Sequence, residues 1–345
     1  FGTRYTMRVF LALLLLLLPS LAHADEGADA LAFNLWLANY RADAITRGIK
    51  PEWLDAGLAG VTFQPRVIGH DRTQPGSAGR PRTFPEYLAG KFHGDRIPAG
   101  QRRFAEHRAA LMAAEQASGV PAATIASIWG IESSYGRVIG TFDLPSALAT
   151  LAYEGRRRAL FTAELDAAVK MVGEAHATRA QMRGSWAGAF GQTQFLPTSY
   201  LRNGRDGDGD GRVDLWNSLP DVFQSIGEYL KQAGWKRGET WGFRAIVPAG
   251  ANRADLAAAD VPQRCVQPIS RHSRLMTASE WRARGFVAVN AAWPDDNALM
   301  SLIEPDGPGQ GAFLVTQSYR AILGYNCSNL YALSVGLLGD AIAAP

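Results

Sequence analysis

The segment from Pro121 to Ser134 restricts the fold most, because it is apolar or small throughout except for one charged side chain, Glu132. A proline suits the first turn of a helix, and the residues that follow keep a helical spacing. Trp129, Ile128 and Ile125 stand three, four and seven residues before Glu132, so they share its face. No other acid occurs between Gln116 and Phe142, and no basic residue in that window precedes Arg137. A carboxyl on so apolar a face is desolvated, which raises its pKa and keeps it protonated toward neutral pH. Such a group can protonate a leaving oxygen, as cleavage of a glycosidic bond requires. The alternative, a structural Glu paired with Arg137, is equally compatible with this helix alone.

Glycosidases ordinarily need a second carboxylate as nucleophile or as base for water. Asp143 and Glu154 lie downstream, but neither has an apolar helical context. One acid suffices where the substrate supplies its own nucleophile. A muramic acid residue does so, its 2-acetamido oxygen stabilising the cationic carbon before its own 6-hydroxyl closes an anhydro ring.

The chain of 345 residues is 47% hydrophobic and 19% charged, with a formal charge of +3, which describes a globular chain. That charge is too small for a nucleic-acid binder that works by phosphate neutralisation. Arg8, the apolar run from Val9 to Leu18 and Ala22-His23-Ala24 form the pattern of a cleavable export signal. Residues 1–24 are therefore set apart, and a soluble periplasmic protein without membrane anchor is expected, its mature chain starting near Asp25. Cys265 and Cys327 are the two cysteines, and the sequence leaves open whether they join or stay apart.

Periodicity suggests an α+β chain that is mainly α. A helix over residues 28–47 would bury Leu31, Leu35, Ala38, Ala42 and Ile45 and stop at Gly48. Val67 to Pro85 has the composition of turns and linker. Helical patterns return at Gln101–Gln116, 159–173 and 220–233. Short strand-like runs follow at Phe243–Val247, Phe286–Val289 and Ala312–Thr316, with turns such as Pro305-Asp306-Gly307-Pro308-Gly309 between them. Gln317 to Ala344 is helical again. The expected divisions are an N-terminal α region (25–84), a catalytic core (85–240), a small inserted β lobe (241–316) and a C-terminal helix returning to the core (317–345). Residues 248–300 carry no readable functional signal.

Asp206-Gly207-Asp208-Gly209-Asp210-Gly211 places carboxylates at loop positions 1, 3 and 5 and a glycine at 6, the pattern that wraps oxygens around Ca²⁺. The Arg212 carbonyl would serve position 7. Position 12 is Asn217 instead of a bidentate Glu, so Asp221 is the expected closing carboxylate. The ion would be structural and would pin a loop beside the helix bearing Tyr229.

Ile131-Glu132-Ser133-Ser134-Tyr135-Gly136, then the run from Ala187 through Gly191-Gln192-Thr193-Gln194-Phe195 to Tyr200, then the acidic loop, together resemble the lytic murein transglycosylase B family. Gly324 to Ser328 and Tyr331-Ala332 continue the likeness, which covers most of the chain beyond the export signal. The resemblance implies a lysozyme-like helical core with an EF-hand-like calcium site. It also implies a substrate, the peptidoglycan glycan strand, cut between N-acetylmuramic acid and N-acetylglucosamine to leave 1,6-anhydromuramic ends. By position, Glu132 matches the family's acid/base; Ser185, Gln194 and Phe195 match groups lining the cleft. Tyr229, Tyr325 and Tyr331 match aromatic walls, and Arg157 with Arg158 an Arg pair near acidic parts of the polymer. Phe84, Tyr87 and Trp53 are candidates for the far end of the cleft.

Walker, dinucleotide, nucleophile-elbow and His-Glu-x-x-His motifs are all missing from the sequence. Two rival functions are a hydrolytic muramidase using Asp143 as base and a calcium-stabilised protein that holds glycan without cutting it.

Overall fold

The computed structural model describes residues 21–73, 82–258 and 264–344. The apolar run from Val9 to Leu18 lies outside them, and the backbone of Ala22-His23-Ala24 falls in the first helix, Leu21–Thr46. That helix buries a different face from the aliphatic one expected. Leu31 and Leu35 are 64% and 63% exposed, whereas Phe33, Tyr40 and Ala44 are buried. Aromatic rings decide this, since each offers more area than an aliphatic side chain. Phe33, Trp36, Phe63 and Tyr153 form one ring cluster with centroids 5.6–6.0 Å apart. Gly48, at φ 92°, ends the segment as expected.

The helical body continues with Pro51–Gly57, Pro65–Arg72, Phe84–Lys91, Arg96–Glu106, Arg108–Ser118, Ala122–Ser133, Leu144–Glu154, Arg158–Gly173, Pro197–Asn203 and Leu219–Gln232. Val67 to Arg72 is thus helical and not linker, and the segment expected as one helix over Gln101–Gln116 breaks at His107. Pro51–Gly57 and Arg158–Gly173 approach each other unusually closely. A Cβ on Gly57 would stand 2.9 Å from the Val169 backbone, and one on Gly173 would enter the Trp53 ring. Trp53 is therefore packed against the Arg158–Gly173 helix, with Lys50 Nζ over its ring, 4.7 Å from the centroid.

Two short strands, β1 (Phe142–Asp143) and β2 (Arg183–Gly184), pair antiparallel inside this body. The later strands are β3 (Gly242–Ile246), β4 (Met276–Thr277), β5 (Val287–Ala288), β6 (Leu299–Ile303) and β7 (Ala312–Thr316). They form an antiparallel sheet in the order β4-β6-β7-β3-β5. Alternate residues serve two cores. Ile303, Phe313 and Val315 join the main core, while Met300, Leu302 and Leu314 pack with Phe243 and Trp281 in a smaller one. A strand buried on both faces has no polar alternation, which is why β6 has no signature in the sequence.

The closing stretch is two helices, Tyr319–Tyr325 and Asn329–Ala343. Cys327 lies between them and is bonded to Cys265, with Cα atoms 5.3 Å apart. Among the described residues no single helix is long and apolar enough to cross a membrane.

Gly57→Ala forces a methyl onto backbone that has no rotamer to yield. It is expected to lower unfolding stability by about 1–3 kcal/mol in a denaturant titration.

Candidate active site

The helix Ala122–Ser133 is buried nearly all round, so its apolar residues form the centre of the body and not a one-sided stripe. Asn329–Ala343 and Arg96–Glu106 pack against it. Ser127 Oγ donates to the Val335 carbonyl at 2.6 Å, and Arg96 reaches the Gly130 carbonyl. Three consecutive residues then take left-handed backbone: Ser134 (φ 53°), Tyr135 (φ 60°) and Gly136 (φ 82°). Two of them carry side chains that disfavour this region, so surrounding packing must hold them there. Tyr135 folds back over Gly130, where a Cβ would meet its ring at 2.5 Å, and its hydroxyl donates to the Arg96 carbonyl at 2.9 Å. Glu132 sits in the last turn before this reversal.

Glu132 keeps partial solvent access, yet protein crowds its carboxyl closely enough to raise its pKa. Burial is the main cause; the Tyr331 hydrogen bond and the charge of Lys91 pull the other way without prevailing. Tyr331 is buried and donates its hydroxyl to Glu132 Oε1 at 2.6 Å. Arg137 instead faces Asp95 and the Ser134 carbonyl, so the structural pairing with Glu132 is not formed. Lys91 and Tyr87 also feel the charge of Glu132, and burial lowers the Lys91 pKa and raises that of Tyr87. Lys91 had no sequence signal, since its helix is distant in the chain. Of the three far-end candidates only Tyr87 is here; Phe84 is a buried core residue against Phe313.

Phe195, Tyr229 and Tyr325 form a ring cluster with centroids 4.7–5.7 Å apart. Tyr325 donates to the Thr193 carbonyl and Tyr229 to the Gly324 carbonyl, both at 2.6 Å. Tyr325 lies close enough to Glu132 for the carboxylate to raise its pKa, after burial, which is the larger cause. Gln194 takes φ 51° and spends its amide N–H donors on the Gly191 and Ile139 carbonyls. Ser185 Oγ accepts from the Ala189 N–H at 3.1 Å.

The Arg pair has other employment. Arg157 Nη2 donates to Asp71 Oδ1 at 2.6 Å and its guanidinium lies over Phe161. Arg158 donates to the Ala152 and Tyr153 carbonyls at the end of the preceding helix. Both are tied to the fold because buried Asp71 and unpaired helix carbonyls need donors. Asp143 is no catalytic base in waiting either. Arg179 holds it with two hydrogen bonds and it caps Ser146; although burial opposes ionisation, these partners hold its carboxyl below the usual range. Glu154 accepts from the Arg156 N–H and faces Arg72.

Asp206, Asp208 and Asp210 each bring an oxygen within 4.8 Å of the others. Three hard carboxylate oxygens suit Ca²⁺. Arg212 continues the loop, its N–H on Asp210 Oδ1 at 2.8 Å. Asp221 is near enough to feel the charge of Asp208 but is not among the three. Its two oxygens accept from the Gly207 and Asp214 N–H groups at 2.7 and 2.6 Å, so it staples the loop's ends and does not join the cluster as the expected closing ligand would.

Residues 32–340 match the family model described as the transglycosylase SLT domain. The chain belongs to this family. It is 31% identical over 261 residues to the membrane-bound lytic murein transglycosylase B of Escherichia coli (strain K12), a match covering 72% of this chain and 64% of that protein. SltB3 from Pseudomonas aeruginosa, solved with NAG-NAM-pentapeptide, superposes with a TM-score of 0.80 at 38% identity, covering 91% of this chain and 80% of that one. The same protein with NAG-anhNAM-pentapeptide gives 0.79 at 38% identity, covering 90% and 79%. The Escherichia coli lytic transglycosylase SLT35, solved with calcium, gives 0.70 at 26% identity, covering 89% and 92%. The lysozyme-like, mainly helical architecture is therefore the family's.

Tyr331→Phe removes a hydrogen bond that favours the ionised carboxyl. The Glu132 pKa is expected to rise further, so the alkaline limb of the pH–rate profile moves to higher pH as kcat falls.

Proposed function

We propose that this chain is a peptidoglycan lytic transglycosylase that cleaves the β-1,4 bond between N-acetylmuramic acid and N-acetylglucosamine without water. The observation that carries this reading is one crowded carboxyl of raised pKa, bonded to Tyr331 and, among the described residues, acted on by Lys91 but by no second acid. Protonated Glu132 gives its proton to the bridging oxygen as the bond to the muramyl C1 breaks. The muramyl 2-acetamido oxygen bonds to C1 in its place. The 6-hydroxyl oxygen then attacks C1, the acetamido oxygen leaves, and the hydroxyl proton returns to Glu132. Atoms balance with no added reactant, so a second carboxylate has nothing to do. The two SltB3 complexes, with NAG-NAM and NAG-anhNAM ligands, agree with this outcome.

In this reading Tyr331 orients the carboxyl and the rings of Phe195, Tyr229 and Tyr325 wall the cleft. The Ser185 hydroxyl and the Gln194 carbonyl oxygen are left to hold sugar hydroxyls or the acetamido group. The three Asp residues and the Arg212 carbonyl would hold a structural Ca²⁺, as the calcium complex of SLT35 supports. A periplasmic address fits both the substrate and the Cys265–Cys327 bridge, since such bonds persist in oxidising compartments.

Digestion of purified cell wall in ¹⁸O-water tests the reaction. Wild type is expected to release anhydro ends free of ¹⁸O, whereas labelled reducing ends would establish a hydrolase. Glu132→Gln should lower turnover by about 10²–10⁴-fold. A carboxyl whose folded pKa is raised contributes stability below the ordinary carboxylate range and loses it as pH rises through the folded value. Neutral Gln is therefore expected to raise Tm at pH 7.

Chelation should lower Tm relative to protein with added calcium, because only the folded loop gathers the three oxygens. Identical melts would refute the metal assignment.

A further inference from the structure

Gln192 is buried in the turn Gly191–Phe195, two residues before Gln194, yet none of its polar atoms faces the cleft groups. Its Oε1 accepts from Trp129 Nε1 at 2.7 Å, and its Nε2 donates to the Trp216 carbonyl at 2.9 Å. Its backbone N–H donates to the Leu215 carbonyl at 2.8 Å. Gly136, last of the three left-handed residues, lies so near that a Cβ there would meet Gln192 Oε1 at 2.4 Å. One side chain thus touches the helix three residues before Glu132 and the reversal four residues after it, and ties both to the segment that follows the acidic loop. That segment is itself held by Asp214, which accepts from the Trp216 N–H at 2.9 Å, and by Asp221.

We propose that Gln192 is a positioning residue for the reaction: through the Trp129 indole and Gly136 it fixes the helix end that aims Glu132 at the bridging oxygen. The inference rests on Glu132 being the acid. Both amide atoms are used, and their partners lie on different elements, so no apolar side chain reproduces the link. An orienting role acts on the transition state and leaves ground-state binding of the strand intact.

Gln192→Met keeps the volume and removes both hydrogen bonds. Its kcat on peptidoglycan fragments is expected to fall about tenfold or more with KM within twofold of wild type. Gly57→Ala, which strains packing between two other helices, provides a control: destabilised, but with wild-type kcat. Trp129→Phe should reproduce the kcat loss, and the double variant should lose no more than either single one, because all three break the same link. A wild-type kcat for Gln192→Met, a loss equal to that of Gly57→Ala, or additive losses in the double variant would each overturn the proposal. An active Glu132→Gln enzyme would instead overturn the reading of the acid, so the two failures are distinguishable.

Discussion

A carboxyl this closely crowded by protein is held most readily while it stays protonated or finds a donor, and few donors surround Glu132. The Tyr331 hydroxyl is its direct partner, and Lys91 acts on it only through charge. Neither outweighs burial, so the group is kept as an acid that can give up its proton and take one back. Burial lowers the Lys91 pKa as well, and its charge does not outweigh the desolvation of the carboxyl. The raised pKa therefore depends on partners that do not offset burial.

The same logic separates Glu132 from the other acids. Asp71, Asp143 and Glu164 are also enclosed, but Asp71 and Asp143 are matched by arginines and Glu164 by two hydrogen bonds from Thr198. Those contacts consume the carboxylate oxygens and serve the fold. Asp221 and Asp340 are raised by burial too, but both oxygens of each are committed, to backbone N–H groups and to Trp241 Nε1, whereas the hydrogen bond described for Glu132 takes one oxygen. Since no second acid among the described residues acts on Glu132, a reaction whose nucleophile travels with the substrate suits the site better than one that must activate water.

Glu132 was legible because its context is local: the apolar residues that desolvate it lie within two turns of the same helix. The acidic loop was legible for a like reason, its three oxygens belonging to alternating residues of one stretch. Long-range partners were legible only through the family resemblance, as for Tyr331, or without a spacing argument, as for Tyr87, and Lys91 was not legible at all. Lys91 and Tyr87 come near Glu132 through folding alone, and the contacts of the arginines at 157 and 158 with buried Asp71 and two helix carbonyls are equally long-range or loop-dependent. The first helix shows a subtler failure. Its aliphatic spacing was regular, but Phe33 and Tyr40 on another face had more area to bury. Asp221 is expected as a ligand because position 12 of the loop is Asn217, and only its two backbone partners show that its oxygens tie the Gly207 and Asp214 N–H groups together.

The sheet lobe, which had no functional signal, takes a place in this scheme through two contacts. Asp306, in the turn before β7, accepts from the Phe84 N–H at 2.8 and 3.0 Å and so anchors the first turn of the helix that carries Tyr87 and Lys91. On the other side buried His272 faces Ser301 of β6 at 3.2 Å and Asn329 at 2.9 Å, at the start of the helix that carries Tyr331. Burial lowers the pKa of this histidine to about 4, with the Asn329 contact opposing, so it remains a neutral link across ordinary pH. Asn329 is fixed further by its bond to the Pro268 carbonyl and by the Tyr319 hydroxyl, and Cys327 is bonded to Cys265 two residues before it. The two elements that deliver partners to Glu132 from outside its own helix are thus both moored to the sheet. The lobe can set the geometry of the acid, because the side chains that tune it arrive on helices whose ends the lobe holds.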